Sequence, residues 1–214
     1  WSDGKQPAWR ETVTCPQCHC NSRMRFVIDH VKDIGEDKSV YAYEFVTDTF
    51  RELQKKIPGI QGSEYIGNDC LGGQVIDGIM HQDATRLSFP DDSFDYMISN
   101  DVLEHVADFE AALKESYRCL KKNGHLLVSI PIFKDRDKTV VRTKQVSDDV
   151  YEYILSPVYH GNPLSAEGSL VFTEFGWDIL ENLRKVGFSD AYAIVYFSAE
   201  KGYFGDFPVI FEAI

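Results

Sequence analysis

FDYMISNDVLEHV, residues Phe94 to Val106, closes an apolar run at Tyr96-Met97-Ile98 and follows it at once with Ser99-Asn100-Asp101. An apolar-periodic segment then opens with Glu104 and His105 in its first turn. A buried strand that sets several small polar groups at one sheet edge has two readings. Ser, Asn and Asp satisfy the free amides of a helix start. The same groups at the carboxyl end of a strand can line a ligand site, because open α/β sheets bind ligands there. The flanking segments decide between the two.

Those segments alternate. SVYAYEF, from Ser39, is strand-like in its aromatic and β-branched content. TDTFRELQKKI reads as a helix with Thr47 or Asp48 as cap and Pro58-Gly59 as stop. IQGSEYI is a short second strand, DCLGGQVIDG a turn-rich link, IMHQDATRL a third strand with its exit, and FDYMISN the fourth. In DFEAALKESYRCLKKNG, Phe109, Leu113, Tyr117 and Leu120 share a helical face, and Asn123-Gly124 ends it. HLLVSIPIF is a buried fifth strand. TEFGWDILENLRKVGF is a helix with Thr173 as cap and Gly187 as stop, and AYAIVYF and FPVIFEAI are two final strands. Upstream, Asn21-Ser22 can cap a helix whose apolar face is Met24, Phe26 to Ile28 and Val31. Residues up to about Thr14 read as irregular. Strand–helix alternation predicts an α/β fold, doubly wound around a mostly parallel sheet.

The composition fits one large domain. The 214 residues are 43% apolar and 26% charged, ordinary for a globular protein. No apolar run approaches the roughly 20 residues that span a membrane. A net charge of −12 repels phosphate backbones, so nucleic acid is a poor partner. Five cysteines, an odd count, point to reduced thiols and a cytoplasmic setting. The chain starts at Trp1 rather than Met, so targeting information could lie upstream.

The predicted sheet brings Glu44, Glu64 and Asp83 to the same edge as Ser99-Asn100-Asp101. Glu44 and Glu64 stand one strand-to-strand step apart. In dinucleotide folds an acidic residue at such a step binds ribose hydroxyls. A carboxylate offers two acceptor oxygens to a cis-diol, which suits Glu64. Asp83 could accept from an exocyclic adenine amine.

The stretch HQDATRLSFPDDSFDYMISNDVLEHVADFEAALKESYRCLKKNGHLLVSIP resembles the core of class I S-adenosylmethionine-dependent methyltransferases, the methyltransferase type 11 group. The elements that carry it are Asp83, LSFPDDSFD, DVLEHV, and E-x-x-R-x-L-K-x-x-G from Glu115 to Gly124. It covers residues 38 to 133. The resemblance implies a seven-stranded Rossmann-like sheet ending in an antiparallel hairpin. It divides the chain into an N-terminal cysteine-containing segment and helix, 1–36, and a methyltransferase-like domain, 37–214, with an insertion at about 134–171. By position, Glu44 ends the first strand, Glu64 with Ser63 and Tyr65 would hold the ribose, Asp83 with Ala84 would face the adenine, and Asn100-Asp101 would border the methionine part. YHGNPLSAEGSL also looks like a segment of uncharacterised bacterial members.

One departure matters. The family's first loop usually reads acidic-x-Gly-x-Gly-x-Gly, and here YEFVTDTF holds no glycine. Glycine lets the backbone approach a ligand closely and take positive φ. If Phe45 and Val46 filled the pocket, the chain would be a non-catalytic domain that has lost the cofactor. If they turn into the core or toward the covering helix, Glu44 and Asn100 face an open cleft. The open cleft is the expectation.

The resemblance then implies methyl transfer from S-adenosylmethionine to a small-molecule or sugar acceptor, with S-adenosylhomocysteine as product. A dehydrogenase would need glycines to bring a pyrophosphate onto a helix start. His105, after the fourth strand, and His160, in the insertion, are the candidate general bases. The insertion from Lys134 to Val171 is polar and reads as a lid or binding loop over the acceptor side. Cys15 and Cys18 in CPQCHC make half of a zinc ribbon, but a second Cys-x-x-Cys does not follow, so no metal ligand is assigned.

Overall fold

The computed structural model describes residues 11–205 and 208–214. The first ten residues of the segment read as irregular lie outside the described residues. β1 (Val40–Ala42), β2 (Gln61–Gly62), β3 (Phe94–Asn100), β4 (Leu120–Ser129), β5 (Ala191–Val195) and β6 (Val209–Ala213) form one sheet in the order β5-β6-β4-β3-β1-β2. β2, β1, β3 and β4 run parallel, while β6 is antiparallel to both β4 and β5. The expected doubly wound sheet with its antiparallel C-terminal pair is therefore present. Its third strand shrinks to one parallel bridge, Glu64 to His81, held by Glu64 N–H to the Met80 carbonyl at 3.0 Å and Gln82 N–H to the Glu64 carbonyl at 3.1 Å. The cause is local. Val75–Ile76 pairs with Ile79–Met80 across Asp77-Gly78, both at positive φ, and this Asp-Gly hairpin takes the residues that would extend the sheet.

Helices cover both faces. α1 (Ser22–Val31) and α2 (Asp48–Lys56) pack Val27, Ile28, Phe50 and Leu53 against Val40, Ile98 and Ile210. α3 (Phe109–Cys119) and α4 (Ile179–Val186) pack Leu113, Ile179 and Leu183 against Met97, Leu126 and Phe211 on the other face. Asn21 caps α1 by accepting from Met24 N–H at 3.0 Å. Two helix ends differ from expectation. α3 stops at Cys119, and Asn123-Gly124 lies inside β4, where Asn123 takes φ +60°. α4 starts after Asp178 rather than Thr173, because Thr173–Glu174 pairs with Val140–Val141.

The Glu115–Arg118 pair of the E-x-x-R motif holds the approach to β3. Arg118 donates to the carbonyls of Leu87 at 3.0 Å and Phe89 at 2.8 Å, and to Asp91 at 2.7 Å, while Glu115 accepts from Leu87 N–H at 2.9 Å. Arg118→Ala strands those carbonyls and is expected to destabilise the fold by about 2 kcal/mol in urea unfolding. A change below about 0.5 kcal/mol would show the network to be dispensable.

The insertion is built of hairpins, not loop as composition suggested. Thr143–Ser147 pairs with Val150–Tyr153, and Tyr159–Asn162 with Ser165–Leu170. Its stem is the Val140–Val141 to Thr173–Glu174 pair, where Glu174 accepts from both Arg136 and Arg142. Among the described residues no helix is long and apolar enough to cross a membrane.

Candidate functional site

β1, β2 and β3 end at one edge of the sheet, and a cleft of about 1340 Å³ opens beyond them. Single small-molecule pockets run to about 1,000 Å³, so this one has room for two ligands side by side. Glu44, Ser63, Glu64, Tyr65, Asp83, Ala84, Asn100, Asp101, His105 and His160 all line it. The insertion supplies further walls, among them Gln145, Tyr151 and Leu170.

The glycine-free loop is held by carboxylates. Phe45 and Val46 donate their amides to one oxygen of Glu64, at 2.7 and 3.0 Å. Thr47 donates its hydroxyl to Glu44 and accepts from Phe50 N–H at 3.0 Å, so it caps α2 and fixes Glu44 together. Asn100 donates to the other Glu44 oxygen at 2.5 Å. Burial pushes the Glu44 carboxyl up, against the hydrogen bonds from Thr47 and Asn100 that pull it down. Phe45 turns onto Phe50, ring centroids 5.1 Å apart, and neither Phe45 nor Val46 lines the cleft. The glycine that close packing does require is Gly62, one strand over: a Cβ there would stand 2.5 Å from the Glu44 carbonyl oxygen.

Ser99-Asn100-Asp101 caps no helix. The turn after it is a 3-10 helix, Leu103–His105, without a side-chain cap, and α3 is capped by Asp108, which accepts from Ala111 N–H at 2.9 Å. Asp101 takes φ +51° and pairs with the buried Arg23 guanidinium at 2.8 Å. The buried side-chain amide oxygen of Asn100, Oδ1, has no hydrogen-bond partner among the described residues. At the end of the cleft walled by the insertion, His105 donates Nδ1–H to the Leu170 carbonyl at 2.9 Å, and its ring meets His160 edge-on at 4.9 Å.

The polar groups fit a nucleoside. A carboxylate has about four acceptor sites, and the loop amides take two of those on Glu64, leaving its second oxygen for a diol. Asp83 accepts from Thr85 N–H at 2.8 Å and from the Thr85 hydroxyl at 2.7 Å through one oxygen, which orients the carboxylate. The cysteines stand apart. Cys20 is buried in the core, which pushes its thiol up to about 12, while the Cys15 thiol is lowered by the amides of Cys18 and Gln17. They form no group of three candidate ligands among the described residues.

Residues 29–128 match the family model described as a methyltransferase domain. The matched stretch, just under half of the chain, is similar to that family. The domain is similar to the Vibrio vulnificus ubiquinone/menaquinone biosynthesis C-methyltransferase UbiE, 35% identical over 98 residues that cover 43% of this chain and 35% of that protein. It is 33% identical over 81 residues to the Listeria welshimeri demethylmenaquinone methyltransferase, covering 38% of this chain and 32% of that one. The matched stretch thus spans about a third of these curated relatives. Two solved structures share the fold. One is an S-adenosylmethionine-dependent methyltransferase from Mesorhizobium loti, TM-score 0.52, 13% identity, covering 92% of this chain and 100% of that one. The other is a Burkholderia thailandensis 1,6-didemethyltoxoflavin-N1-methyltransferase with 1,6-didemethyltoxoflavin and S-adenosylhomocysteine bound, TM-score 0.53, 14% identity, covering 89% of this chain and 77% of that one.

Two residues escape sequence reasoning as site members: Arg23, which lines the cleft, and Glu104, buried next to its lining residue His105. Arg23 sits on the capped N-terminal helix, and only the fold brings it to Asp101. Glu104 stands in the opening stretch, but nothing in the sequence tells a solvent-facing first-turn acid from a buried one.

Proposed function

We propose that the domain transfers the methyl group of S-adenosylmethionine to a small-molecule or sugar acceptor. The observation that carries this reading is the open cleft beside a first loop whose Phe45 has turned into the core. Glu64 would hold the ribose, Asp83 the adenine amine, and Glu44, Asn100 and Asp101 the methionine end. The bound cofactor supplies a methyl group already activated on a sulfonium. The chain's part is to hold the acceptor in line and exclude water. The hairpins of the insertion wall off the acceptor side, and His105 or His160 would take the proton of an acceptor hydroxyl. The acidic chain favours an uncharged or cationic acceptor over a nucleic acid.

Calorimetric titration with S-adenosylmethionine and S-adenosylhomocysteine tests the reading. One site per chain with a micromolar Kd is expected for each, about −8 kcal/mol. No heat for either, in protein with native circular dichroism, would leave the non-catalytic reading standing.

A further inference from the structure

We propose that Glu104, His105 and His160 form a binding site for a divalent transition-metal ion at the acceptor-side end of the cleft. Glu104 is 1% exposed, and neither carboxylate oxygen has a hydrogen-bond partner among the described residues. A carboxylate hidden from water and left without a donor is costly, and a bound metal ion or an ion pair would compensate its charge. Among the described residues no Lys or Arg pairs with Glu104. What faces it are two imidazoles: Glu104 Oε1 stands 3.7 Å from His105 Nε2 and 3.6 Å from His160 Nδ1. All three ligand atoms lie within 4.8 Å of one another.

The spacing suits an ion. Metal–ligand bonds of about 2.0–2.2 Å put neighbouring ligand atoms roughly 3–3.5 Å apart, so contraction by a few tenths of an ångström brings the carboxylate oxygen to that separation from each imidazole. The tautomer of His105 is set as a ligand requires. Its Nδ1 carries the proton that goes to the Leu170 carbonyl, which leaves the Nε2 lone pair toward Glu104. The frame is firm. Leu103 is buried in the core, Glu104 accepts at its carbonyl from Phe172 N–H at 2.8 Å, and Gly168 packs against the His160 carbonyl across the hairpin, where any side chain would collide. Asp101, three residues earlier, is already engaged by Arg23. Two imidazoles and one carboxylate select zinc, cobalt, nickel, iron or manganese over calcium or magnesium. Three protein ligands leave at least one position open on the cleft side, suited to an oxygen donor of the acceptor. That last assignment, a metal-ligating hydroxyl or carboxylate on the acceptor, rests on the function proposed above. The ion site itself does not. With an ion bound, the two imidazoles serve as ligands, and acidifying the acceptor falls to the ion.

The test is direct titration of the chelator-treated, dialysed chain with Zn²⁺ by calorimetry, and with Co²⁺ by visible absorption, in the absence of cofactor. One ion per chain is expected at micromolar Kd, with Co²⁺ bands of a low-symmetry nitrogen–oxygen site. His160→Gln, at a half-exposed position, and Glu104→Gln should each weaken binding at least tenfold. A Cys15→Ser/Cys18→Ser variant should bind as the parent does. Absence of binding at millimolar ion would overturn the proposal. So would a site lost in the cysteine variant and kept in His160→Gln. Failure of S-adenosylhomocysteine to bind, with the ion still held, would remove the methyltransferase reading alone.

Discussion

Glu64→Ala is expected to lower S-adenosylhomocysteine affinity about 100-fold, close to 3 kcal/mol. The carboxylate does two jobs. One oxygen holds the Phe45 and Val46 amides, and the second faces the cleft where a ribose diol would lie. Alanine removes the diol acceptor and also frees a loop that has no glycine to set its path. Glu64→Gln separates the two. Its amide carbonyl still accepts the loop N–H groups, so the loop stays in place while the charged acceptor is lost, and about tenfold weaker binding is expected. Calorimetry reads both, with circular dichroism as the check on folding. Unchanged affinity in folded Glu64→Ala would take Glu64 out of the site.

The second large effect is acid lability centred on Glu212. This residue sits on β6, buried among the strands, where burial raises its carboxyl but hydrogen bonds from His30 at 3.1 Å and His125 at 2.7 Å outweigh that and bring it down to about 2. A folded-state value below the unfolded one means that the stabilisation is complete above the unfolded carboxylate range and lost as pH falls through the folded value. Stability should therefore drop by about 3 kcal/mol between roughly pH 5 and pH 2 on account of this group. The two histidines come from α1 and β4, so protonating Glu212 loosens the N-terminal helix from the sheet. Urea unfolding across this window reads the loss. Glu212→Gln should be less stable at pH 6 and show a flatter acid limb. A mutant limb as steep as the parent's would assign the acid loss to other carboxylates.

The parallel core was legible because its strands are short apolar runs bounded by turn residues, and because each carries a polar group at its carboxyl end. What misled was the chemistry of Gly and Asn. Asn123-Gly124 looks like a helix stop, yet Leu120 already extends and Gly124 fits where a Cβ would stand 2.8 Å from the Lys121 carbonyl, inside a strand. Asp77-Gly78 was a hairpin signal inside what read as a linker, and it shortened the third strand to one bridge. The hairpins of the insertion were invisible for a different reason. Both faces of Thr143–Ser147 are largely exposed, so no alternation of apolar and polar residues marks them.

For the cleft, the acids at the strand ends could be placed from their register, since one residue after each strand is enough to fix an edge. The partner of Glu64 could not. A glycine-free loop leaves cofactor loss open as an alternative in the sequence, and the fold replaces flexible backbone with fixed acceptors: Glu64 takes the loop amides, and Glu44 is held by Thr47 and Asn100. Glu104, buried beside two histidines, stands 56 positions before His160, and that distance carries no pattern.

The stem of the insertion marks a seam in the molecule. The chain leaves the sheet side through Val140–Val141 and returns beside it through Thr173–Glu174, and one acid, Glu174, clasps an arginine from before the seam and one from after it. Two neighbouring attachment points are all that the sheet presents to the hairpins beyond. A different hairpin cassette, longer or shorter, can be grafted there without moving β4 or α4, because the closure of its ends is already supplied by the stem and added loop length costs little. The wall around the far half of the cleft is thus separable from the strand ends that form its near half, and the two can diverge at different rates on one unchanging sheet.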